Sequence, residues 1–377
     1  MPGPGADADV DVLIVGAGPA GASAALAARR ADPTARVALW DRARFPRDKV
    51  CGDGLAPHAV EVLSCLGVDG VTDGFPPVSR LSVQGAGGAV ATRSLDRPDY
   101  VIPRRVLDAR ILAAARQAGA AFEQRTVRRV QVEPGGVVVD GVRTRVLIGS
   151  DGALSRVARS LGLIPQTGRD LAIAIRGYAP APAGTPVQRI VFVAADRPSY
   201  AWSFPVGDGT VNVGYGARRD RFRGTRDTLV DRLEQALGPT GVTDLAGHPL
   251  PLSTGARPWT VGPVLLAGDA AGLINPLSGE GLYYAVASGA LAGAAAVGSQ
   301  PAVTYRRDLT RLLARHVRHT RLLARLVEFP AVAEAGITAA AARQRVFDDL
   351  VELAIGRGTL TAPLAAATAG RLATGRR

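Results

Sequence analysis

Residues 11–30 read DVLIVGAGPAGASAALAARR, a run of apolar residues followed by a glycine-rich turn and an alanine-rich stretch. This order predicts a β-strand at Val12–Val15, a tight turn and an α-helix. Gly16 allows the tight turn, Gly18 lets a pyrophosphate approach the backbone, and Gly21 lets the helix pack closely on the strand. The free N–H groups at the start of the helix would face the anion. The stretch therefore predicts a dinucleotide-binding unit in an α/β fold.

A second predicted strand supports the same interpretation. Residues 36–41 read RVALWD, and Asp41 follows Gly21 by twenty residues. From that position a carboxylate reaches the 2'-hydroxyl of a bound ribose. A glycine-rich turn alone would fit many loops, but a strand, a helix and a correctly placed acid together favour a dinucleotide. The candidate contacts in these two segments are Gly16, Gly18, Pro19, Ala20, Gly21, Asp41 and Arg42.

Two later segments repeat the pattern of an apolar strand followed by Asp. Residues 145–159, RVLIGSDGALSRVAR, place Asp151 after a predicted strand, and residues 261–293, VGPVLLAGDAAGLINPLSGEGLYYAVASGALAG, do the same for Asp269. A buried Asp in such a position can hydrogen-bond a polyhydroxyl chain, and the helix N-terminus that follows the later glycines would stabilise negative charge on a flavin ring. Asp151, with Ser155, could instead cap a helix.

The three segments, in this order, resemble the FAD-binding fold of p-hydroxybenzoate hydroxylase-type flavoproteins over about residues 9–300. The resemblance implies FAD as the cofactor, a contact of Asp269 with the ribityl chain, and a position for Asp151 near the pyrophosphate. Residues 102–120, IPRRVLDARILAAARQAGA, match that family's Arg-x-x-apolar-Asp helix, which implies that Arg104 contacts FAD. Further cofactor contacts implied by the resemblance are Cys51, Gly52, Val127, Gly268, Pro276, Gly279, Gly281 and Leu282.

Two short motifs narrow the family. The loop FPRDKVCGDGL, which holds the only lysine of the chain, resembles the P-x-x-K-x-C-G-x-G loop of the geranylgeranyl reductase family from Pro46 to Gly54. Residues 200–205, YAWSFP, resemble the Y-x-W-x-F-P motif of that family. The resemblance implies an FAD-dependent reductase that saturates double bonds of a prenyl diphosphate, an isoprenoid lipid or a prenylated quinone such as menaquinone. Implied catalytic residues are Cys51, Tyr200 and Trp202, and implied substrate contacts are Tyr200, Trp202 and Phe204.

The second motif also has a physical interpretation. Tyr200, Trp202 and Phe204 alternate at a period of two residues, so their rings would project from one face of a strand. The two valines and the tyrosine of residues 211–215, VNVGY, alternate in the same way on a returning strand, and we expect them to join the rings in one wall that faces a long apolar substrate. The alternative is a sheet that packs on a helix.

Cys51 is a candidate proton donor. A thiol beside glycines can lie close to a ring, and its pKa responds to a nearby cation, for which Lys49 is the candidate. The alternative is a thiol that only fills space in a loop shaped by glycines. Cys65, on the predicted short helix AVEVLSCLGV, is expected in the core.

Residues 306–329, RRDLTRLLARHVRHTRLLARLVEF, predict an amphipathic helix with leucines on one side and a basic stripe on another. The stripe would rest on an anionic membrane or dock an acidic electron donor; the alternative is a core-packed helix with a solvated face. His316 and His319 are expected at the surface, and residues 363–377 are expected to fray. The arginines of the stripe are Arg311, Arg315, Arg318 and Arg325.

The sequence leaves the electron donor and two other functions open. It contains no second glycine-rich strand-turn-helix for a nicotinamide cofactor, so electrons would come from ferredoxin or another carrier, or from NAD(P)H bound without its own Rossmann unit. Flavin monooxygenases that act on aromatic or polyketide substrates share the same scaffold. The formal charge of +12 would fit a nucleic-acid-binding protein, yet no helix-turn-helix, zinc or RNA-binding signature supports that, and we expect no nucleic-acid partner.

A chain of 377 residues is too long for one small core and suits either two interleaved domains or one large domain. Two cysteines make no disulfide framework, residues 1–16 lack the pattern of a secretory signal, and the uncharged run from Gly281 to Tyr305 is too rich in Ala, Gly and Ser for a bilayer span. We expect a cytoplasmic protein, at most peripheral at the inner membrane face. The expected division is an FAD-binding domain of residues 1–75, 100–165 and 251–300, a smaller substrate-binding β-sheet domain of residues 76–99 and 166–250, and C-terminal helices in residues 301–377.

Overall fold

The computed structural model describes residues 8–184, 186–254 and 257–374. Residues 1–7, on which part of the expectation about a secretory signal rests, lie outside these ranges. The described strands are β1 (Val10–Val15), β2 (Val37–Asp41), β3 (Gly54–Leu55), β4 (Val78–Gln84), β5 (Val90–Val101), β6 (Ala121–Gln124), β7 (Val130–Glu133), β8 (Gly136–Val139), β9 (Val142–Gly149), β10 (Leu171–Pro180), β11 (Gln188–Phe192), β12 (Ser199–Pro205), β13 (Thr210–Arg218), β14 (Thr243–Pro251), β15 (Thr260–Val261) and β16 (Val264–Leu266).

The described α-helices are α1 (Pro19–Ala31), α2 (Pro57–Cys65), α3 (Arg104–Gln117), α4 (Arg156–Ser160), α5 (Arg226–Leu237), α6 (Leu282–Ala296), α7 (Pro301–Leu326), α8 (Pro330–Ala342), α9 (Gln344–Ile355) and α10 (Ala362–Thr374). Single turns of 3₁₀-helix cover Gly168–Asp170 and Gly268–Ala271.

The first sheet is built around β1, which pairs in parallel with β2 on one side and β9 on the other. Strands β6 and β16 extend it in parallel, and the β7–β8 hairpin adds to β9 in antiparallel fashion. Val12, Leu13 and Ile14 are fully buried. A run without alternation of apolar and polar residues is expected of a parallel strand that is covered on both faces.

Parallel pairing brings the carboxyl ends of β1, β2, β9 and β16 to one edge of this sheet. The glycine turn after Val15, the acid Asp41, and the segments that begin at Ser150 and Gly268 therefore meet at that edge. In open parallel sheets this edge is where ligands bind.

Helices α1 and α6 pack closely because both are rich in small residues. A Cβ added to Gly289 would lie 2.0 Å from the carbonyl oxygen of Ala20, and one added to Gly293 would lie 1.9 Å from that of Ala24. Gly21 has the same role at the turn, where an added Cβ would lie 1.7 Å from the carbonyl oxygen of Gly16. The close approach sets the start of α1 at the ligand edge.

The second sheet has the order β14-β10-β13-β12-β11-β4-β5-β3 and is mainly antiparallel. On its outer face Val211, Val213 and Tyr215 pack with Leu229 and Leu233 of α5. Directly paired residues of antiparallel strands share a face, and Ala201 pairs with Tyr215. The expectation that residues 211–215 join the aromatic wall is therefore wrong: they lie on the opposite face, where the alternative of a sheet packed on a helix applies.

The second sheet takes strands from both chain segments expected for the substrate-binding domain, and also β3, which lies in a segment expected in the FAD-binding domain. The division into an FAD-binding part and a substrate-binding part stays a proposal. Within the described ranges, no helix combines the length and apolar character needed to cross a membrane.

Three expectations about the burial or order of particular residues are wrong. His316 is buried on α7, not exposed. Its burial is tolerated because its Nε2 hydrogen-bonds with the hydroxyl of Tyr284 beneath the helix. Residues 363–374 belong to α10, which packs against α8 and α9, so they are not frayed; residues 375–377 lie outside the described ranges. Cys65 ends α2 and is exposed, not part of the core.

We predict that Gly289→Ala destabilises the FAD-loaded protein by about 3 kcal/mol, because the added methyl group overlaps the backbone of α1. The matched control is Gly336→Ala on α8, where an added Cβ meets no atom within 4 Å. That variant should be neutral or slightly more stable, since Ala restricts the unfolded chain. Urea unfolding followed by circular dichroism measures both changes, and equal effects would contradict the packing argument.

Candidate active site

A cavity of about 700 Å³ lies between the ligand edge of the first sheet and the inner face of the second. Most residues predicted for the site line it, although they come from segments far apart in the chain. The predicted residues that line it are Gly16, Gly18, Pro19, Ala20, Asp41, Arg42, Cys51, Gly52, Arg104, Val127, Asp151, Tyr200, Trp202, Phe204, Asp269, Gly279, Gly281 and Leu282.

Three predicted cofactor contacts lie outside that lining. Gly21 lies beneath the turn, as described above, and Gly268 donates its N–H to the hydroxyl of Ser288 at 2.9 Å. An added Cβ at Gly268 would lie 3.2 Å from Ala20, so this glycine serves packing at the end of β16. Pro276 is half-buried before α6. Their roles toward a cofactor stay predictions.

One end of the cavity fits a diphosphate. No side chain caps the first turn of α1, whose N-cap is Gly18, so backbone N–H groups there remain free for an anion. A Cβ added at Gly18 would lie 3.3 Å from Nη2 of Arg47 and 3.9 Å from Nη2 of Arg104, while one at Gly16 would lie 2.4 Å from the carbonyl oxygen of Ser150. Backbone donors and two guanidinium groups thus converge where the sequence predicts the pyrophosphate of FAD.

Arg104 is held at this end by a buried ion pair. Its Nε lies 2.6 Å from Oδ1 of Asp108, and Nη1 of Arg47 lies 3.1 Å from Oδ2 of the same carboxylate. Two cations share one buried anion, so the cluster keeps a net positive charge. A buried excess charge is costly without a counter-ion, and a diphosphate would supply one.

Asp41 sits at the expected ribose position at the end of β2. Its Oδ2 accepts a hydrogen bond from the N–H of Ala17, and its Oδ1 accepts one from the N–H of Ala43, each at 2.8 Å. Each carboxylate oxygen can accept a second bond, so both remain able to take a ribose hydroxyl. Beside it the guanidinium of Arg125 stacks on Trp40, with its carbon 4.0 Å from the ring centroid. These residues fit the adenosine half of FAD.

Asp151 combines both interpretations offered for it. Ser155 caps α4 by accepting the N–H of Ala158, and Asp151 accepts the N–H groups of Arg156 and Val157. The carboxylate therefore supports the short helix while it also lines the cavity.

Lys49 pairs with Asp269 rather than with Cys51. The Lys49 Nζ lies 2.8 Å from Oδ2 of Asp269, at the point where the resemblance implies the ribityl chain. Burial raises the pKa of Asp269, but the charge and hydrogen bond of Lys49, together with the charges of His248 and Arg104, outweigh burial and lower the pKa overall. Burial also raises the pKa of Cys51, and the strongest opposing cation is Arg104, ahead of Lys49. The charge of Lys49 thus does act on the pKa of Cys51, as expected, but less than that of Arg104, and the thiol stays protonated at neutral pH.

Residues 48–53, which we call the anchor loop, are tied to the second sheet by Arg176 of β10. The fully buried guanidinium donates from Nη2 to Oδ1 of Asp48 and to the carbonyl oxygen of Lys49, each at 2.8 Å, and from Nε to that of Cys51 at 3.2 Å. The anchor loop is thus attached to the second sheet through Arg176 and to the first through the Lys49–Asp269 pair.

A second set of buried polar contacts orients the aromatic wall. Asp53 has a positive φ of 60° and accepts hydrogen bonds on Oδ2 from the hydroxyl of Tyr178 at 2.5 Å and from Nδ2 of Asn212 at 2.8 Å. Burial raises the pKa of Asp53 to about 6. Asn212 also donates to the carbonyl oxygen of Cys51 and accepts from the indole N–H of Trp202, each at 2.9 Å. The indole ring is therefore fixed relative to the anchor loop.

Two glycines, one in the anchor loop and one on β13, lie against the aromatic rings of β12. A Cβ added to Gly52 would lie 3.4 Å from Cε2 of Phe204 and 3.5 Å from Nε1 of Trp202. Gly214, opposite Trp202 on β13, makes room for the indole, since a Cβ there would lie 2.2 Å from its ring. The hydroxyl of Tyr200 donates to the carbonyl oxygen of Ser278. Close approach of Gly52 to a flavin stays a prediction.

A second, apolar cavity of about 350 Å³ adjoins the first; we call it the apolar chamber. It lies between the second sheet and helices α7–α10, and Tyr200, Leu81 and Ile190 line both spaces. Sequence reasoning assigned the C-terminal helices no share in the site. Their apolar faces are evident in the sequence, but nothing there indicates that a space separates them from the sheet.

Sequence reasoning also missed several polar residues of the site. Arg176 interrupts the apolar strand LAIAIRGYAP, which could have indicated a buried cation with partners. Asn212 in VNVGY gives the same signal more weakly. The buried Asp99 and the half-buried Glu280 also line the first cavity, and nothing in the sequence distinguishes them from surface acids.

Comparison with known proteins agrees with this geometry. A family model described as FAD binding domain matches residues 9–294. Menaquinone reductase of Mycolicibacterium smegmatis is 33% identical over 304 residues, covering 72% of each chain. Digeranylgeranylglycerophospholipid reductase 1 of Methanopyrus kandleri is 33% identical over 312 residues, covering 71% of this chain and 78% of its own.

A solved structure has the same fold along nearly the whole chain. A geranylgeranyl bacteriochlorophyll reductase-like protein of Thermoplasma acidophilum superposes with a TM-score of 0.79 at 20% identity, covering 96% of each chain. The predicted α/β class with a Rossmann-type FAD-binding unit, a second sheet and C-terminal helices is confirmed, and FAD is the cofactor. The chain belongs to the FAD binding domain family and, within it, to the geranylgeranyl reductase family of FAD-dependent oxidoreductases.

Proposed function

We propose that this enzyme saturates carbon–carbon double bonds of an isoprenoid chain, in a prenylated quinone such as menaquinone, a prenyl diphosphate or an isoprenoid lipid. The observation that carries the proposal is the apolar chamber, which opens beside the predicted FAD site at Tyr200. A long hydrocarbon chain needs an apolar space that continues from the reacting position, and small polar aromatics do not. The similarity to menaquinone and digeranylgeranylglycerophospholipid reductases supports the same substrate class.

The residues have separable roles in this proposal. The free backbone donors at Gly18, with Arg47 and Arg104, would hold the diphosphate of FAD, and Asp41 the ribose. Reduced FAD supplies a hydride equivalent to the alkene. The anchor loop and Trp202 would orient the alkene, because buried hydrogen bonds hold both in fixed positions. The apolar lining excludes water from the chain.

The electron donor and cellular location are further parts of the proposal. We retain ferredoxin and NAD(P)H as the two candidate donors. Cys51 and Cys65 are free thiols, which suits a reducing cytoplasm. We place the protein there, in contact with the inner face of the membrane that would hold its substrate.

We predict that protein reduced with dithionite under anaerobic conditions adds two hydrogens per double bond to menaquinone or to a geranylgeranyl substrate. Mass spectrometry of the extracted product measures the gain, and the return of the oxidised flavin spectrum gives the stoichiometry. The protein boiled before reduction is the control. Failure to saturate any prenyl substrate, together with hydroxylation of an aromatic or polyketide in air, would show a monooxygenase instead.

The apolar chamber predicts a dependence on chain length. Ala333 of α8 lines the chamber, so Ala333→Trp should fill part of it and lower kcat/KM for a long prenyl chain by roughly tenfold, with a smaller effect on a geranyl substrate. Ala331→Trp is the matched control, because Ala331 is exposed two residues earlier on the same helix and lies outside the lining. Equal losses for long and short chains would contradict a role of the chamber in binding the chain.

The end of α7 suggests where a membrane would be met. Leu322, Leu326 and Phe329 are 46%, 36% and 65% exposed, and Leu326 also lines the apolar chamber. Exposed Arg318 and Arg325 flank this patch. An exposed apolar patch that is flanked by cations and borders the apolar chamber is suited to contact with an anionic bilayer.

We predict that the double variant Arg318→Gln, Arg325→Gln binds vesicles of phosphatidylglycerol roughly 30-fold more weakly, since each arginine near such a surface contributes about 1 kcal/mol. Phe329→Asp should weaken binding further by removing the apolar anchor. Ile164→Asp, at a residue 83% exposed outside the C-terminal helices, is the control. Co-sedimentation measures binding, and unchanged binding of all variants would exclude this surface.

A further inference from the structure

Two carboxyl groups, the buried Asp99 and the half-buried Glu280, line the first cavity and are not among the residues predicted to hold FAD. Asp99 lies on β5 and is 5% exposed; Glu280 lies just before α6, and its Oε1 accepts the N–H of Tyr283 at 2.8 Å. Oδ1 of Asp99 has no hydrogen-bond partner among the described residues. A carboxyl oxygen that is buried, lines a cavity and lacks a partner is available to a ligand in that cavity.

Both acids lie where the two cavities meet. Leu81, Ile190 and Tyr200 line the first cavity together with Asp99 and Glu280, and the same three residues line the apolar chamber. A prenyl chain that extends from the chamber toward the flavin would pass this junction. A double bond held at this junction would lie beside the pair.

We propose that Asp99 donates the proton that completes reduction of the double bond, and that Glu280 is a positioning residue that keeps Asp99 protonated. The inference rests on the proposed function. One alkene carbon forms a C–H bond with the hydride pair from reduced FAD. The other carbon forms a C–H bond with the former π pair and the Asp99 proton, the O–H bond breaks, and its electrons stay on the carboxylate. Water at the cavity then returns a proton.

The protonation states agree with this geometry. Burial and then the negative charge of Glu280 raise the pKa of Asp99 to about 8, and burial raises the pKa of Glu280 to about 7. Asp99 is thus mostly a neutral acid at pH 7, and a donor works best when its pKa lies near the working pH. Cys51, whose ordinary pKa is already higher, has its pKa raised further by burial, so it releases a proton less readily.

Few other charged groups face the pair. The charge of Arg97 acts on Asp99 and lowers its pKa, as does the side chain of Gln188. Tyr200 and Tyr284 face Glu280, and burial followed by that charge raises the pKa of both hydroxyls, so they stay protonated. Asp53 also titrates near the lower end of the range from pH 6 to 9, since burial raises its pKa to about 6, so the variants of Asp99 and Glu280 are what assign a titration near pH 8.

The test uses the FAD-loaded protein in single turnover, with reduced enzyme mixed anaerobically with a prenyl substrate from pH 5 to 9. The wild-type rate of flavin oxidation should fall as the pH rises through about 8, because Asp99 then loses its proton. Asp99→Asn should lower the rate at pH 7 at least 100-fold and abolish this pH dependence, with FAD content unchanged. Glu280→Gln should shift the midpoint to lower pH, because the neighbouring negative charge is removed.

Two controls separate the alternatives. Asp96→Asn changes an exposed acid on the same strand and should leave rate and pH profile unchanged. Cys51→Ala tests the thiol as the rival donor: whatever its rate, that rate should still fall as the pH rises through about 8, because the Asp99 carboxyl group is unchanged. Full activity of Asp99→Asn with an unaltered pH profile, or loss of this pH dependence in Cys51→Ala, would overturn the proposal.

A measurement without substrate distinguishes failure of this inference from failure of the proposed function. Folded Asp99 holds a proton that unfolded Asp99, with an ordinary pKa near 3.8, has released, so stability should fall as the pH rises from about 5 to 8. Asp99→Asn should reduce that slope, with Glu280 and Asp53, whose pKa values are also raised, supplying the remainder. If the slope is flat in the wild type, Asp99 is not a neutral acid and the inference fails. If the slope is present but no prenyl substrate is reduced, the proposed function fails instead.

Discussion

The site depends on one buried cation, Arg176. A guanidinium taken out of water must be matched by acceptors, and removal of a buried partner typically costs about 3–5 kcal/mol. Its acceptors are Asp48 and two backbone carbonyl groups of the anchor loop. The loop therefore cannot detach from the second sheet without leaving that charge unpaired. The bonds of Arg176 thus fix the position of the loop on the sheet.

Because the anchor loop also reaches the first sheet through Lys49 and Asp269, it joins the two halves of the active site. Cations collect at the nucleotide end, where α1 begins and Arg104 lies. The opposite end changes to aromatic rings and then to the purely apolar chamber. The polar end therefore suits the FAD cofactor. The apolar end suits a hydrocarbon, such as a prenyl chain, that continues from it.

Local patterns correctly indicated that the candidate nucleotide contacts lie together, and the structure places them in one cavity. Asp41 and Asp269 follow parallel strands, and such strands bring their carboxyl ends together whatever the rest of the chain does. The aromatic wall was predicted only in part, because alternation states which residues share a face but not which neighbouring residues join them. The register of β12 and β13 decided that Val213 lies on the other side. The ion pair of Lys49 with Asp269 was missed, since proximity along the loop indicated only Cys51 and did not reveal the distant carboxylate.

The sequence by itself determined the Rossmann-type unit, the FAD cofactor and the reductase family, because glycine turns, strand-end acids and two short motifs are local features. Tertiary structure alone decided the buried partners of Arg176, the apolar chamber under α7–α10, and the junction where Asp99 and Glu280 meet. Each of these depends on residues a hundred or more positions apart in the chain, such as Arg176 bonded to Asp48 and Asp99 within the electrostatic influence of Glu280. A carboxyl group becomes a neutral acid only when folding removes water and brings another charge beside it, and no local pattern encodes that environment.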